Sequence, residues 1–170
     1  MDRTLSPERI LWVLAESVPE GAETLNLFDR LLATAPSSSL IGALGRATDP
    51  VDRQMLCDLL GFRKAKAAVP ALIQCLADPA PGVRSASADA LGKAFGYVAE
   101  PPAPARRRRA LEALLARWRV EESAGVRSTI AQTLGLLGDP SVRPLLETAR
   151  HDLDPRVRRQ AEWALEHLSR

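Results

Sequence analysis

Four ten-residue segments of this chain superimpose without a gap: 52–61, 83–92, 126–135 and 157–166. Each carries Arg at its second position, at Arg53, Arg84, Arg127 and Arg158. Each carries Leu seven residues after that Arg, at Leu60, Leu91, Leu134 and Leu165. The first three segments end on Gly61, Gly92 and Gly135, and the fourth ends on Glu166. The Arg residues are spaced 31, 43 and 31 apart, so the period is 31 with one insertion of 12. A repeat of this size predicts stacked supersecondary units, because one such unit is too small to bury a core alone.

Composition decides what the units are made of. Aromatic residues are only 4% of the 170, while hydrophobic residues reach 46%. Ala and Leu dominate, which favours packed helices over a sheet rich in β-branched and aromatic residues. Each Arg-centred segment reads as the second helix of a helix pair. Asp49-Pro50, Asp78-Pro79 and Asp154-Pro155 mark the starts, since Asp caps free N–H groups and Pro has none to lose. Gly61, Gly92 and Gly135, each in a Leu-Gly pair, are expected to close the helices in the left-handed conformation or to serve as packing sites. The stretch from Ala68 to Ile73 matches that from Ser141 to Leu146, giving the first helix of two pairs. The run from Arg107 to Leu115 is the third unit's version. The insertion then falls near 96–108, as an exposed loop or an extension of that helix. The fold class is therefore all-α, an α-solenoid of about four to five stacked helix pairs with nine or ten helices in all. A single domain over 1–170 is expected, with irregular capping helices over 1–37 and four repeats over 38–168.

The stretch from Gly138 to Leu146, followed by Asp154 to Ala161, resembles HEAT repeats in the short form also seen in phycobilisome-lyase-like proteins. The resemblance covers about 38–168. It implies a structural role for Arg53, Arg84, Arg127 and Arg158, bridging neighbouring repeats to an acidic side chain near the turn. A planar guanidinium with five donors suits that bridge. The family's functions include scaffolds, adaptors, chromophore lyases and a few enzymes, so the fold alone selects none of them.

No catalytic set emerges. His151 and His167 read as solvent-exposed, and no His-Glu dipeptide, phosphate loop or Gly-x-Ser-x-Gly occurs. Cys57 and Cys75 have no metal or disulfide spacing and read as buried thiols. No metal and no cofactor are expected. The N-terminus lacks a basic segment followed by an apolar core, and no apolar run approaches the roughly 20 residues that cross a bilayer. A cytoplasmic location without membrane contact is the expectation.

Two surfaces remain as candidates. One and five residues after each repeated Arg stand Gln54 and Asp58, Ser85 and Asp89, Ser128 and Gln132, Arg159 and Trp163. Positions four apart share a helix face. Asp58, Asp89, Gln132, Arg159 and Trp163 are the predicted protein-binding residues of a concave face, with Trp163 either an anchor or a cap. The second surface is the run Arg106, Arg107, Arg108 and Arg109, extended by Arg119, a candidate anion patch. The sequence predicts a non-enzymatic scaffold or adaptor for a protein or peptide. The alternatives are a nucleic-acid-binding protein using Arg106–Arg109 and a chromophore-lyase-like accessory protein.

Overall fold

The computed structural model describes residues 31–32, 35–96 and 103–169. The N-terminal helices expected over 1–37, with Trp12 and Phe28, lie mostly outside the described residues. Within them the chain forms eight α-helices: α1 (Ser37–Leu44), α2 (Pro50–Phe62), α3 (Val69–Cys75), α4 (Pro81–Gly96), α5 (Pro104–Trp118), α6 (Ala124–Leu137), α7 (Arg143–Ala149) and α8 (Pro155–His167). No strand occurs among the described residues. The helices pair as α1/α2, α3/α4, α5/α6 and α7/α8, which makes four units.

Local chemistry sets the helix starts. The Asp49 carboxylate accepts from the Val51 N–H at 2.7 Å and caps α2. Asp154 does the same for α8 through Arg156 N–H at 2.8 Å. Asp139 accepts from Ser141 N–H at 3.0 Å and opens a single 3₁₀ turn ahead of α7. The second helix of the second unit begins at Pro81, not at the expected Pro79. The residue before a proline is disfavoured in the helical region, so Ala80 holds the helix start back to the second proline.

Of the two readings open for the repeated glycines, the structure shows packing sites rather than helix ends. Gly61, Gly92 and Gly135 lie inside α2, α4 and α6. Among the described residues only Gly138 is a left-handed glycine, at φ 64°, closing α6. The three repeated glycines are crossing points instead. A methyl group on Gly61 would lie 2.9 Å from the Ala90 Cα, and one on Gly135 would lie 2.7 Å from the Ala164 Cβ. One on Gly92 would press on Leu136 and Thr133 at 3.1 Å. Absence of a side chain thus lets α2, α4, α6 and α8 stack in direct succession.

The repeated Leu fills the space between layers: Leu60, Leu91 and Leu134 are completely buried and Leu165 nearly so. Fully burying a Leu contributes about 1.5–3 kcal/mol. Two buried hydroxyls tie the layers without an unmet bond. Ser87 donates to the Leu72 carbonyl, and Thr133 donates to the Ala88 carbonyl at 2.9 Å. The insertion is partly absorbed by α5, which is 15 residues long against seven in α3 and α7. Residues 97–102 of it lie outside the described residues.

Candidate functional site

The repeated arginines form a ladder along one edge of the stack. Arg53 donates through Nε and Nη2 to the two Asp78 oxygens, at 2.6 and 3.1 Å. Arg84 does the same to Glu121 at 2.8 and 2.7 Å, and Arg127 to Asp152 at 2.9 and 3.0 Å. Each acceptor belongs to the turn of the following unit. Each Nη1 donates back to carbonyls of its own unit, such as Thr48 for Arg53 and Glu122 for Arg127. The fork is therefore fixed in place before it meets the carboxylate. Arg158 makes only the second half of this pattern, donating to the Asp152 and Leu153 carbonyls at 2.9 and 3.0 Å.

Electrostatics follows the geometry. Burial pushes the Asp78 carboxyl up, but the Arg53 fork, the Ala80 N–H and the Arg53 and Arg84 charges outweigh it and hold it below its usual range. Glu121 is likewise raised by burial and lowered more by Arg84, the Ser123 N–H and Arg117, with a net depression. Asp152 is depressed chiefly by the Arg127 hydrogen bonds, against its partial burial. These are architectural pairs, strong because they are bidentate and shielded from water.

The second-helix face carries the other candidates. Gln54, Asp58, Ser85, Asp89, Thr129 and Gln132 line one shallow cavity of about 360 Å³ across α2, α4 and α6. Asp58, Asp89 and Gln132 are thus brought together. Arg159 and Trp163 sit on α8, outside this cavity. Trp163 is half-buried, lies 3.2 Å from where a Gly135 methyl would be, and stacks on the exposed His167 ring at 4.9 Å. That placement gives Trp163 a packing role between α6 and α8.

Burial raises the Asp58 carboxyl, with Lys93 opposing and Asp89 adding to the shift. Lys93 bonds Asp89 at 2.7 Å and lies 4.1 Å above the Phe62 ring. Phe62 is 55% exposed. Sequence reasoning missed Lys93 and Phe62, although Asp89 and Lys93 have the four-residue spacing of a helix ion pair.

Arg106, Arg107, Arg108 and Arg109 are all exposed in the first two turns of α5. Arg108 comes within 3.8 Å of Glu112, and Arg106 donates to the Lys66 carbonyl at 3.4 Å. Arg119 caps the far end of the same helix, roughly 18 Å from Arg107 at the helical rise of 1.5 Å per residue. The structure therefore separates Arg119 from the run it was expected to extend.

The thiols are neighbours. Cys57 is buried, whereas Cys75 is half-buried rather than buried as expected. Cys57 is raised by donating its hydrogen bond to Cys75 and by burial. Cys75 is lowered by receiving that bond, against its own burial. Among the described residues no group of His, Cys, Asp and Glu is placed to hold a metal ion. None of their helices is long and apolar enough to cross a membrane.

Stacked helix pairs joined by an Arg–carboxylate ladder define an α-solenoid repeat protein. The sequence model of HEAT repeats matches residues 37–103 and 94–166, and the chain belongs to the HEAT repeat family. A search of curated proteins returned no match. Among solved structures, an engineered protein shares 13% identity at a TM-score of 0.59, covering 98% of this chain and 85% of its own. A designed armadillo repeat protein in complex with the peptide (KR)4 shares 14% identity at a TM-score of 0.63, covering 93% of this chain and 73% of its own.

Proposed function

We propose that this protein is a non-enzymatic cytoplasmic scaffold that holds a protein or peptide partner on the face formed by α2, α4, α6 and α8. The observation that carries this reading is the set of polar side chains from α2, α4 and α6 that line one groove. Gln54, Asp58, Ser85, Asp89 and Gln132 offer acceptors and donors at regular intervals to an extended chain. The designed repeat protein of similar fold, which holds the peptide (KR)4, supports a peptide as the ligand class. A cationic side chain laid between Asp58 and Asp89 would relieve the repulsion that helps raise Asp58. Fluorescence anisotropy with a labelled Lys/Arg-rich peptide and an acidic peptide of equal length tests this. Asp58→Lys with Asp89→Lys is expected to weaken the basic peptide by at least about tenfold, roughly 1.4 kcal/mol, with helicity unchanged. Equal affinity for both peptides, or no effect of the variant, overturns the assignment.

An anionic partner is the second reading, favoured by the exposure of all four side chains from Arg106 to Arg109. Cations in the first turns of a helix oppose its dipole, so their placement does not serve the helix. Nucleic-acid affinity that falls steeply with salt and is lost on neutralising the run would establish it. A salt-independent response would reject it. The chromophore-lyase alternative would have to use the half-buried Cys75, since Cys57 is buried.

A further inference from the structure

We infer that the guanidinium fork of Arg158 is a docking point for a carboxylate supplied by an acidic turn of a separate protein partner. This site lies on α8, the last described helix, and is independent of the groove lined by α2, α4 and α6.

The argument starts from the ladder. Arg53, Arg84 and Arg127 each spend Nη1 on carbonyls of their own unit and Nε with Nη2 on one carboxylate of the next. Arg158 is held by the same two carbonyl bonds, five and six residues back in the chain. Its Nε and Nη2 have no hydrogen-bond partner among the described residues. Its fork is thus oriented as its three counterparts are, toward the side from which a carboxylate would come. Ordering of the guanidinium has already been met by the fold, so a ligand need not supply it.

The chemistry of the three filled sites specifies the ligand. Every acceptor is an Asp or Glu on a tight turn that also accepts from the backbone N–H two residues on. Asp78 takes the Ala80 N–H at 2.9 Å, Glu121 the Ser123 N–H at 2.9 Å, and Asp152 the Asp154 N–H at 2.9 Å. The fourth site adds an apolar element. Leu153, whose carbonyl anchors the fork, is 96% exposed. The fitting partner is an acidic turn with an apolar neighbour.

The surface beside the fork differs from that of the three filled rungs. Gly61, Gly92 and Gly135 admit the following helix at contact distance, and Glu166 stands in that place on α8. Glu162 and Glu166 are both exposed on this helix. The Arg158 site therefore combines a ladder rung without a carboxylate among the described residues with a surface that carries Glu162 and Glu166 in place of a glycine crossing.

The test uses the full chain labelled with ¹⁵N in low salt. The probe is a synthetic peptide of the sequence 149–157, which carries the Asp152 turn that already satisfies Arg127. A second peptide carries Asn in place of that Asp. The Arg158 Nε–Hε resonance, assigned by its loss in Arg158→Lys, is expected to shift saturably with the acidic peptide. The Asn peptide is expected to bind at least about fivefold more weakly, as for loss of a charge-assisted bidentate contact. Asp58→Lys with Asp89→Lys should leave this titration unchanged, so failure of the groove assignment and failure of this one are separable. An unmoved resonance, or equal response to the two peptides, overturns the inference. Sedimentation that reveals self-association abolished by Arg158→Gln would also overturn it, assigning the fork to a second copy of the chain.

Discussion

Arg84 of α4 and Glu121, at the turn between α5 and α6, are joined by two parallel hydrogen bonds of 2.8 and 2.7 Å. Glu121 is only 6% exposed and also accepts from Arg117 at 2.7 Å. The pair ties the second unit to the third, the two units between which a 12-residue insertion breaks the sequence period.

Removing one partner of such a pair leaves a buried charge uncompensated. Arg84→Ala is expected to cost about 3 kcal/mol, the low end for buried pairs because Arg117 remains. Arg158→Ala removes only carbonyl bonds and should cost about 1 kcal/mol. Urea denaturation of both variants checks the contrast. Equal losses would mean that the ladder is not what distinguishes them.

Helix crossing at the repeated glycines gives a second prediction. Gly135→Ala forces a methyl group against Ala164 at 2.7 Å and should cost about 1–3 kcal/mol by overpacking. Gly125→Ala, in the first turn of α6 with only the Ser123 hydroxyl 3.7 Å away, should gain about 0.5–1 kcal/mol. Thermal unfolding of the two variants should move in opposite directions.

Asp78, Glu121 and Asp152 all have depressed carboxyl pKa values in the folded chain. In the acid range the unfolded chain then binds more protons, so stability rises with pH there. Their contribution is complete above the unfolded carboxylate values near about 4 and is lost as pH falls through the folded ones. Unfolding midpoints followed from pH 6 to pH 2, a range that spans roughly the carboxylate values, should fall steeply only below about 4. Asp152→Asn should flatten part of that fall.

Thiol chemistry separates the two cysteines. A disulfide-exchange reagent should modify Cys75 in the folded protein, because its thiol is lowered and half-exposed. Cys57 should react only on unfolding, being buried and raised. Cys75→Ser should remove the folded-state reaction. Persistence of that reaction would contradict the assignment.

The unit length, the paired helices and the recurring Leu were legible in the sequence, because periodic burial writes itself as periodic apolar residues. For the repeated glycines the sequence left two readings open, helix end or packing site. A Leu-Gly pair at the end of a conserved-looking segment has the same local sequence whether the chain turns there or another helix crosses it. Only the partner helix, 31 or 43 residues away, decides between the two. The start of α4 depended on two competing prolines, Pro79 and Pro81, and the second prevailed. On the candidate face, Asp58 and Asp89 were singled out by register, whereas Lys93 was passed over because it lies outside the positions counted from the repeated Arg. Trp163 could be an anchor or a cap by residue type, and the half-buried ring lies close to Gly135 and stacks on His167.

The most direct test of the scaffold is comparative affinity purification from cell lysate treated with nuclease, using wild type and Asp58→Lys with Asp89→Lys. Circular dichroism of the variant should first match wild type. The account predicts a discrete set of proteins retained by wild type after nuclease and lost by the variant. An unchanged set in the variant, or a set that disappears from wild type on nuclease treatment, would contradict it.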